Sequence, residues 1–100
     1  MDKIKIPENF ITNKKYEAIR KDMDTNKHMH NLYYLDLAYE VLPEAVYEQR
    51  PFDNVRIMYK KEITLGDIVD CNYALGEDGK HIVVINSQEG KVLHAVIELC

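Results

Sequence analysis

No run of about 18 apolar residues occurs anywhere in this 100-residue chain, so no segment is suited to cross a bilayer as a helix. The start lacks the charged, apolar and small-residue regions of a secretory signal, and export is not expected. Basic clusters are also missing. Thirteen Lys and Arg stand against seventeen Asp and Glu, giving a net charge of −4, which argues against nucleic acid and anionic membrane as partners. Cysteine is scarce: Cys71 and Cys100 fit no metal spacing and are too few for a disulfide framework. A reducing, cytoplasmic setting is the expectation. There is no internal repeat, no low-complexity tract and no room for a second domain. What is present, 46% hydrophobic and 30% charged residues, is the composition of one folded domain. At this length about 65% of the unfolded chain's surface is buried on folding.

Residues 1–13 read as a lead-in segment or linker, and residues 14–100 as the domain. Lys14 to Lys21 reads as a strand with Tyr16, Ala18 and Ile19 inward. From Asn31 to Leu42 runs the longest apolar segment. Leu32, Leu35, Tyr39 and Leu42 share one helical face, and Tyr34, Ala38 and Val41 an adjacent one. The expectation is a helix over about residues 30–42, buried on most of its circumference and stopped by Pro43. Asp36 and Glu40 would then need partners or an interface. Period-two alternation from Val55 to Ile63 marks the next strand. Ile68–Leu75, His81–Asn86 and Lys91–Leu99 follow, separated by Gly-containing turns. A strand, a buried helix and four antiparallel strands make an α+β domain.

Between the first strand and the helix lies a polar stretch with Asp22, Asp24, Asn26, His28 and His30 at every second position. If extended, it would project carboxylates, an amide and imidazoles from one face. It leads into a helix start, whose unsatisfied N–H groups favour a developing oxyanion. Such a set suits acyl transfer or hydrolysis. Each residue also has a plainer reading. Asp24 could be a turn or cap residue, Asn26 a second cap, and His28 a surface imidazole capped by Asp24. Glu62, flanked by Lys60 and Lys61, could sit on a solvated strand face. The His-x-His pair with its aspartates could hold a metal, but no downstream ligand has matching spacing, and none is expected.

The stretch DMDTNKHMHNLYYLDLAYEVLP resembles the signature of acyl-acyl-carrier-protein thioesterases. That pattern, D-x-D-x-N-x-H-x-N-N, then Y, then E-x-x-P, falls on Asp22, Asp24, Asn26, His28, Tyr34, Glu40 and Pro43 without a gap. Downstream, MYKKEITLGDIVD resembles the family's second block and places Tyr59, Glu62, Gly66 and Asp67. The resemblance runs from about residue 15 to the C-terminus. It implies a hot-dog fold, an antiparallel sheet wrapped around a central helix, usually present twice per enzyme. It implies hydrolysis of fatty acyl thioesters borne by acyl carrier protein or coenzyme A. Asp24, Asn26, His28 and Glu62 are the implied catalytic residues, Asn31 and Tyr34 the substrate-binding ones, and no cofactor is implied.

Two departures matter. His30 stands where the family has the first Asn of its pair. Ile63 stands where it has Cys or Ser, so a water activated by Glu62 replaces a cysteine nucleophile in the expected mechanism. Lys14, Lys15, Arg20, Lys21 and Lys27 surround the motif and could meet an acidic carrier protein. A homodimer, or pairing with a second hot-dog domain, would cover the sheet edge and helix face that one copy exposes. The alternative is a non-catalytic hot-dog module that binds acyl chains or completes a two-domain assembly.

Overall fold

The computed structural model describes residues 4–100, which form one five-stranded antiparallel sheet and a helix. The strands are β1 (Thr12–Glu17), β2 (Val55–Tyr59), β3 (Ile68–Leu75), β4 (His81–Ser87) and β5 (Val92–Leu99). They lie in the order β1-β3-β4-β5-β2, with every pairing antiparallel. The central three are rich in Val and Ile, which pack well on a pleated surface. The edges are β1 and β2.

Helix α1 (Asn31–Val41) lies across the sheet, and a single turn, α2 (Glu44–Tyr47), follows Pro43. Each end of α1 has an identifiable stop. The His30 ring accepts the Leu32 N–H through Nδ1 at 3.2 Å, acting as N-cap. The Val41 carbonyl, otherwise unpaired, accepts the Thr12 hydroxyl from β1 at 2.6 Å. Tyr34, Leu37, Ala38 and Val41 are buried against Val69, Cys71, Tyr73, Val83, Ile85, Ala95, Ile97 and Leu99. Each large side chain so placed stabilises the fold by about 1.5–3 kcal/mol relative to exposure.

The helix is buried along one stripe, and not around most of its circumference as its composition suggested. Leu32 is 73% exposed, Leu35 and Tyr39 are half-buried, and of the expected face only Leu42 is fully inside. Apolar residues on every side left the periodicity without a polar face to orient it. The sheet covers one side, and that contact selects Tyr34, Leu37, Ala38 and Val41. Asp36 and Glu40 lie exposed and need no buried partner.

Two strands also differ by more than one residue from their expected limits. β1 starts at Thr12 and ends at Glu17, before Lys21, because Arg20–Asp22 winds into a 3-10 turn. The Asp22 carboxylate closes that turn, with Oδ2 accepting the Ile19 N–H at 3.0 Å and the Tyr16 hydroxyl at 2.7 Å. β2 stops at Tyr59 although alternation continues to Ile63. On the outer sheet face Ile4 is buried with Ile82, Val84 and Val96, so the lead-in segment packs there. Among the described residues, no helix is long and apolar enough to cross a membrane.

Two outcomes check this packing. Leu37→Ala should cost about 2–5 kcal/mol in urea unfolding, while Leu32→Ala should change stability by less than about 0.5 kcal/mol. Equal costs would mean the buried stripe is misplaced. Burial pushes the Cys71 thiol up to about 12, whereas Cys100 is exposed. A thiol reagent near neutral pH should therefore label one cysteine in the folded protein and two after unfolding.

Candidate active site

The polar stretch 22–30 is not extended, and its alternate side chains do not share one face. Asp24 Oδ1 accepts the N–H groups of Asn26 at 2.8 Å and His28 at 3.1 Å. The Asp24 N–H bonds the His28 carbonyl, the Lys27 N–H bonds the Asp24 carbonyl, and Lys27 adopts a left-handed φ of 63°. Together these bonds fold residues 24–28 into a tight loop whose shape depends on a short acceptor at position 24. The five residues then diverge. Asp22 turns inward to Tyr16, Asp24 braces its own loop, Asn26 is exposed near the tip, and His30 caps α1. His28 alone points at the downstream block.

That meeting rests on backbone pairing. The Met29 N–H donates to the Ile63 carbonyl at 2.8 Å, and His28 forms a β-bridge with Thr64. The Tyr34 hydroxyl accepts the Ile63 N–H at 3.0 Å. Beyond it the chain turns, with the Thr64 N–H and hydroxyl both donating to Asp67 Oδ2. Gly66 holds φ +89° in that turn, a conformation side-chain-bearing residues rarely adopt. Thus Gly66 and Asp67 shape the turn after Glu62. The result is His28 Nε2 at 3.4 Å from Glu62 Oε2, between residues 34 positions apart.

Both groups open onto a cleft of about 530 Å³ lined by Asp24, His28, Met29, Asn31, Tyr34, Tyr59, Lys60, Lys61 and Glu62. The structure thus brings together Asp24, His28, Asn31, Tyr34 and Glu62. It leaves Asn26 off the cleft wall. Tyr34 is buried and edge-on to Tyr59, ring centroids 5.3 Å apart, so it forms cleft wall as well as holding Ile63. The helix-start amides contribute less than the sequence suggested, because those of Leu32 and Tyr33 are taken by His30. Two amide hydrogen bonds, that from His28 foremost, hold the Asp24 carboxyl below the usual carboxylate range. Asp24 is thus a poor proton acceptor and a good loop brace. Glu62 keeps its side chain 69% exposed.

The side chain of Ile63 lies fully buried in the main core, and Cys71 is buried in β3. Neither presents a nucleophile to the cleft. Among the described residues no three His, Cys, Asp or Glu side chains converge as metal ligands would. Of the expected basic patch, Lys14, Lys15 and Lys21 line a separate cavity beside β1 and α1, and Lys15 pairs with Asp70 at 2.7 Å. The lysines on the cleft are Lys60 and Lys61, which sequence reasoning treated only as neighbours of Glu62.

A five-stranded antiparallel sheet packed on one helix is the layout of a hot-dog domain, and solved thioesterases share it. A 12:0-ACP thioesterase from Umbellularia californica superposes with a TM-score of 0.83 at 17% identity, over 99% of this chain and 38% of that one. A Staphylococcus aureus protein solved in complex with CoA gives 0.76 at 18% identity, over 92% and 75% of the two chains. In sequence, the acyl-ACP thioesterase C-terminal domain family matches residues 6–98, and the chain belongs to that family. A dodecanoyl-[acyl-carrier-protein] hydrolase of the Cinnamomum camphora chloroplast is 29% identical over 48 residues. That match spans 48% of this chain and 13% of the relative's length.

The Asp24 brace carries a pH signature. Because the folded-state carboxyl lies below its ordinary value of 3.8, its contribution is present above that value and lost as pH falls through the lower folded one. The Tm difference between the native protein and Asp24→Asn should be greatest near neutrality and close in acid. A gap that widens in acid would contradict the bracing role.

Proposed function

We propose that this domain hydrolyses fatty acyl thioesters carried by acyl carrier protein or coenzyme A, through water activated by Glu62. The observation that carries the proposal is the 3.4 Å approach of His28 Nε2 to Glu62 Oε2 on the wall of an open cleft. Glu62 takes a proton from water as the oxygen attacks the thioester carbonyl carbon. The C=O π pair moves to oxygen, and His28, with the α1 start at Asn31, stabilises that charge. Asn26 lies exposed off the cleft wall and takes no part in this step. The intermediate collapses, the C–S bond breaks, and Glu62 returns its proton to the departing sulfur. Free acid and thiol are the products. No metal or redox group enters this scheme.

Lys60 and Lys61 flank the cleft and suit an anionic carrier. Tyr34 and Tyr59 supply apolar wall for the acyl segment next to the carbonyl. The free thiols of Cys71 and Cys100 are consistent with work in a reducing, cytoplasmic compartment. The exposed Leu32 and Tyr33 and the edges β1 and β2 favour a second hot-dog unit against this one, a copy or another domain. The second reading is a non-catalytic half of a two-domain assembly. It draws on Ile63 in place of a nucleophile and on the 38% of the Umbellularia chain that this one matches.

Thiol release from medium- and long-chain acyl thioesters on both carriers separates the readings. Glu62→Gln should lower kcat/KM by about 10²–10⁴, and His28→Ala by about 10-fold or more. Release that is equal in the native protein and Glu62→Gln favours the non-catalytic module. Light scattering should give a mass above that of one chain, and a strict monomer with full activity would remove the case for a shared site.

A further inference from the structure

We propose that His94, on β5, is the positioning residue that aims Glu62; the proposal rests on the hydrolytic reading given above. His94 is 2% exposed and lies far from the signature in sequence. Its Nδ1 is 2.8 Å from the Lys61 carbonyl oxygen. A carbonyl only accepts, so Nδ1 carries the hydrogen and donates it. Its Nε2 is 2.8 Å from the buried Ser87 hydroxyl, which fixes the ring from the other side. The carbonyl of His94 in turn accepts the N–H groups of Lys60 at 2.8 Å and Lys61 at 3.3 Å.

One residue therefore holds the Lys60–Lys61 segment by both its main chain and its side chain. This is the point at which β2 leaves the ladder: the last pair is Tyr59 with Ala95, and the chain then turns towards the cleft. A planar peptide links the Lys61 carbonyl to the Glu62 nitrogen, so fixing one fixes the other. On the far side of Glu62, the Ile63 N–H goes to Tyr34 and its carbonyl to Met29. Glu62 thus sits between two clamped peptides. Its exposed side chain meets the structure at His28 and takes its direction from the backbone below. A buried imidazole costs desolvation that Leu or Phe would avoid. Here that cost is matched by a bond no hydrocarbon could make, one residue from the proposed base.

The test uses two amides that imitate different ring nitrogens. Asn carries its N–H₂ near the Nδ1 position and can still reach the Lys61 carbonyl; Gln carries its amide further out, towards Ser87. Thiol release should fall about 10- to 100-fold in kcat for His94→Gln with KM within about twofold, since small misplacements of a reacting group cost that much. His94→Asn should restore kcat to within about threefold of native. In a Glu62→Gln background, His94→Gln should cost less than about twofold, because the group it aims is already gone. An equal loss in both backgrounds, equal losses for Asn and Gln, or no loss for Gln would overturn the proposal. If His94→Gln does not fold, Ser87→Ala should show the same kcat-only loss, at about threefold, and an unchanged kcat would overturn the proposal. The ring signals of His28 by NMR give a readout independent of turnover. They should shift on Glu62→Gln and again on His94→Gln. If they do so while thiol release is absent, the positioning holds and the hydrolytic reading fails.

Discussion

The backbone bond from Met29 to Ile63 is the constraint on which the site depends. It joins the loop before α1 to the segment after β2, whose Met29 and Ile63 side chains are buried in the same core. At 2.8 Å, and backed by the His28–Thr64 bridge, it sets the register between an imidazole and a carboxylate 34 residues apart. The groups around it act as its supports. Asp24 shapes the loop on one side. Tyr34 holds Ile63 from beneath, Asp67 and Gly66 turn the chain onward, and His94 holds Lys61. The Tyr34 and His94 contacts lie in or beside the core, where an unpaired group would be costly, whereas those of Asp24 and Asp67 are exposed. Met29, Tyr34 and Ile63 also share the main core, so hydrogen bonds and packing specify the site together.

Several signature residues do structural work in this chain. Asp24 braces a turn, Gly66 supplies a backbone conformation, Asp67 closes the turn that Thr64 begins, and Tyr34 holds the segment after β2 at Ile63. Ile63 is a core residue whose main chain, and not its side chain, serves the site. The His28 imidazole and the Glu62 carboxylate are left facing each other on the wall of an open cleft.

Much was legible in the residue pattern. The α+β class, the helix over 31–41 and the three central strands followed from period and from Pro43, each within a residue or so. The family resemblance singled out His28 and Glu62, without saying which motif residues would meet. Other features were not legible. Alternation ran past Tyr59 because alternation marks only which side chains could share a face. It does not mark where the partner strand releases the chain. The even spacing of Asp22 to His30 looked like a strand, since a carboxylate that accepts its own loop's amides is indistinguishable in sequence from one that faces a substrate. His94 and Ser87 carried no local signal at all, being an imidazole and a hydroxyl in two apolar strands.

Local chemistry therefore determined what is local: which segments alternate, where a helix must stop, and which residue types stand ready before it. Only the tertiary structure decided which stripe of α1 is buried, which motif residues reach the cleft, and that a histidine on β5 holds the chain beside Glu62. The physical reason is that a side chain's direction is set by the peptide planes on either side of it. In this domain those planes are held by hydrogen bonds from residues 29 to 34 positions away.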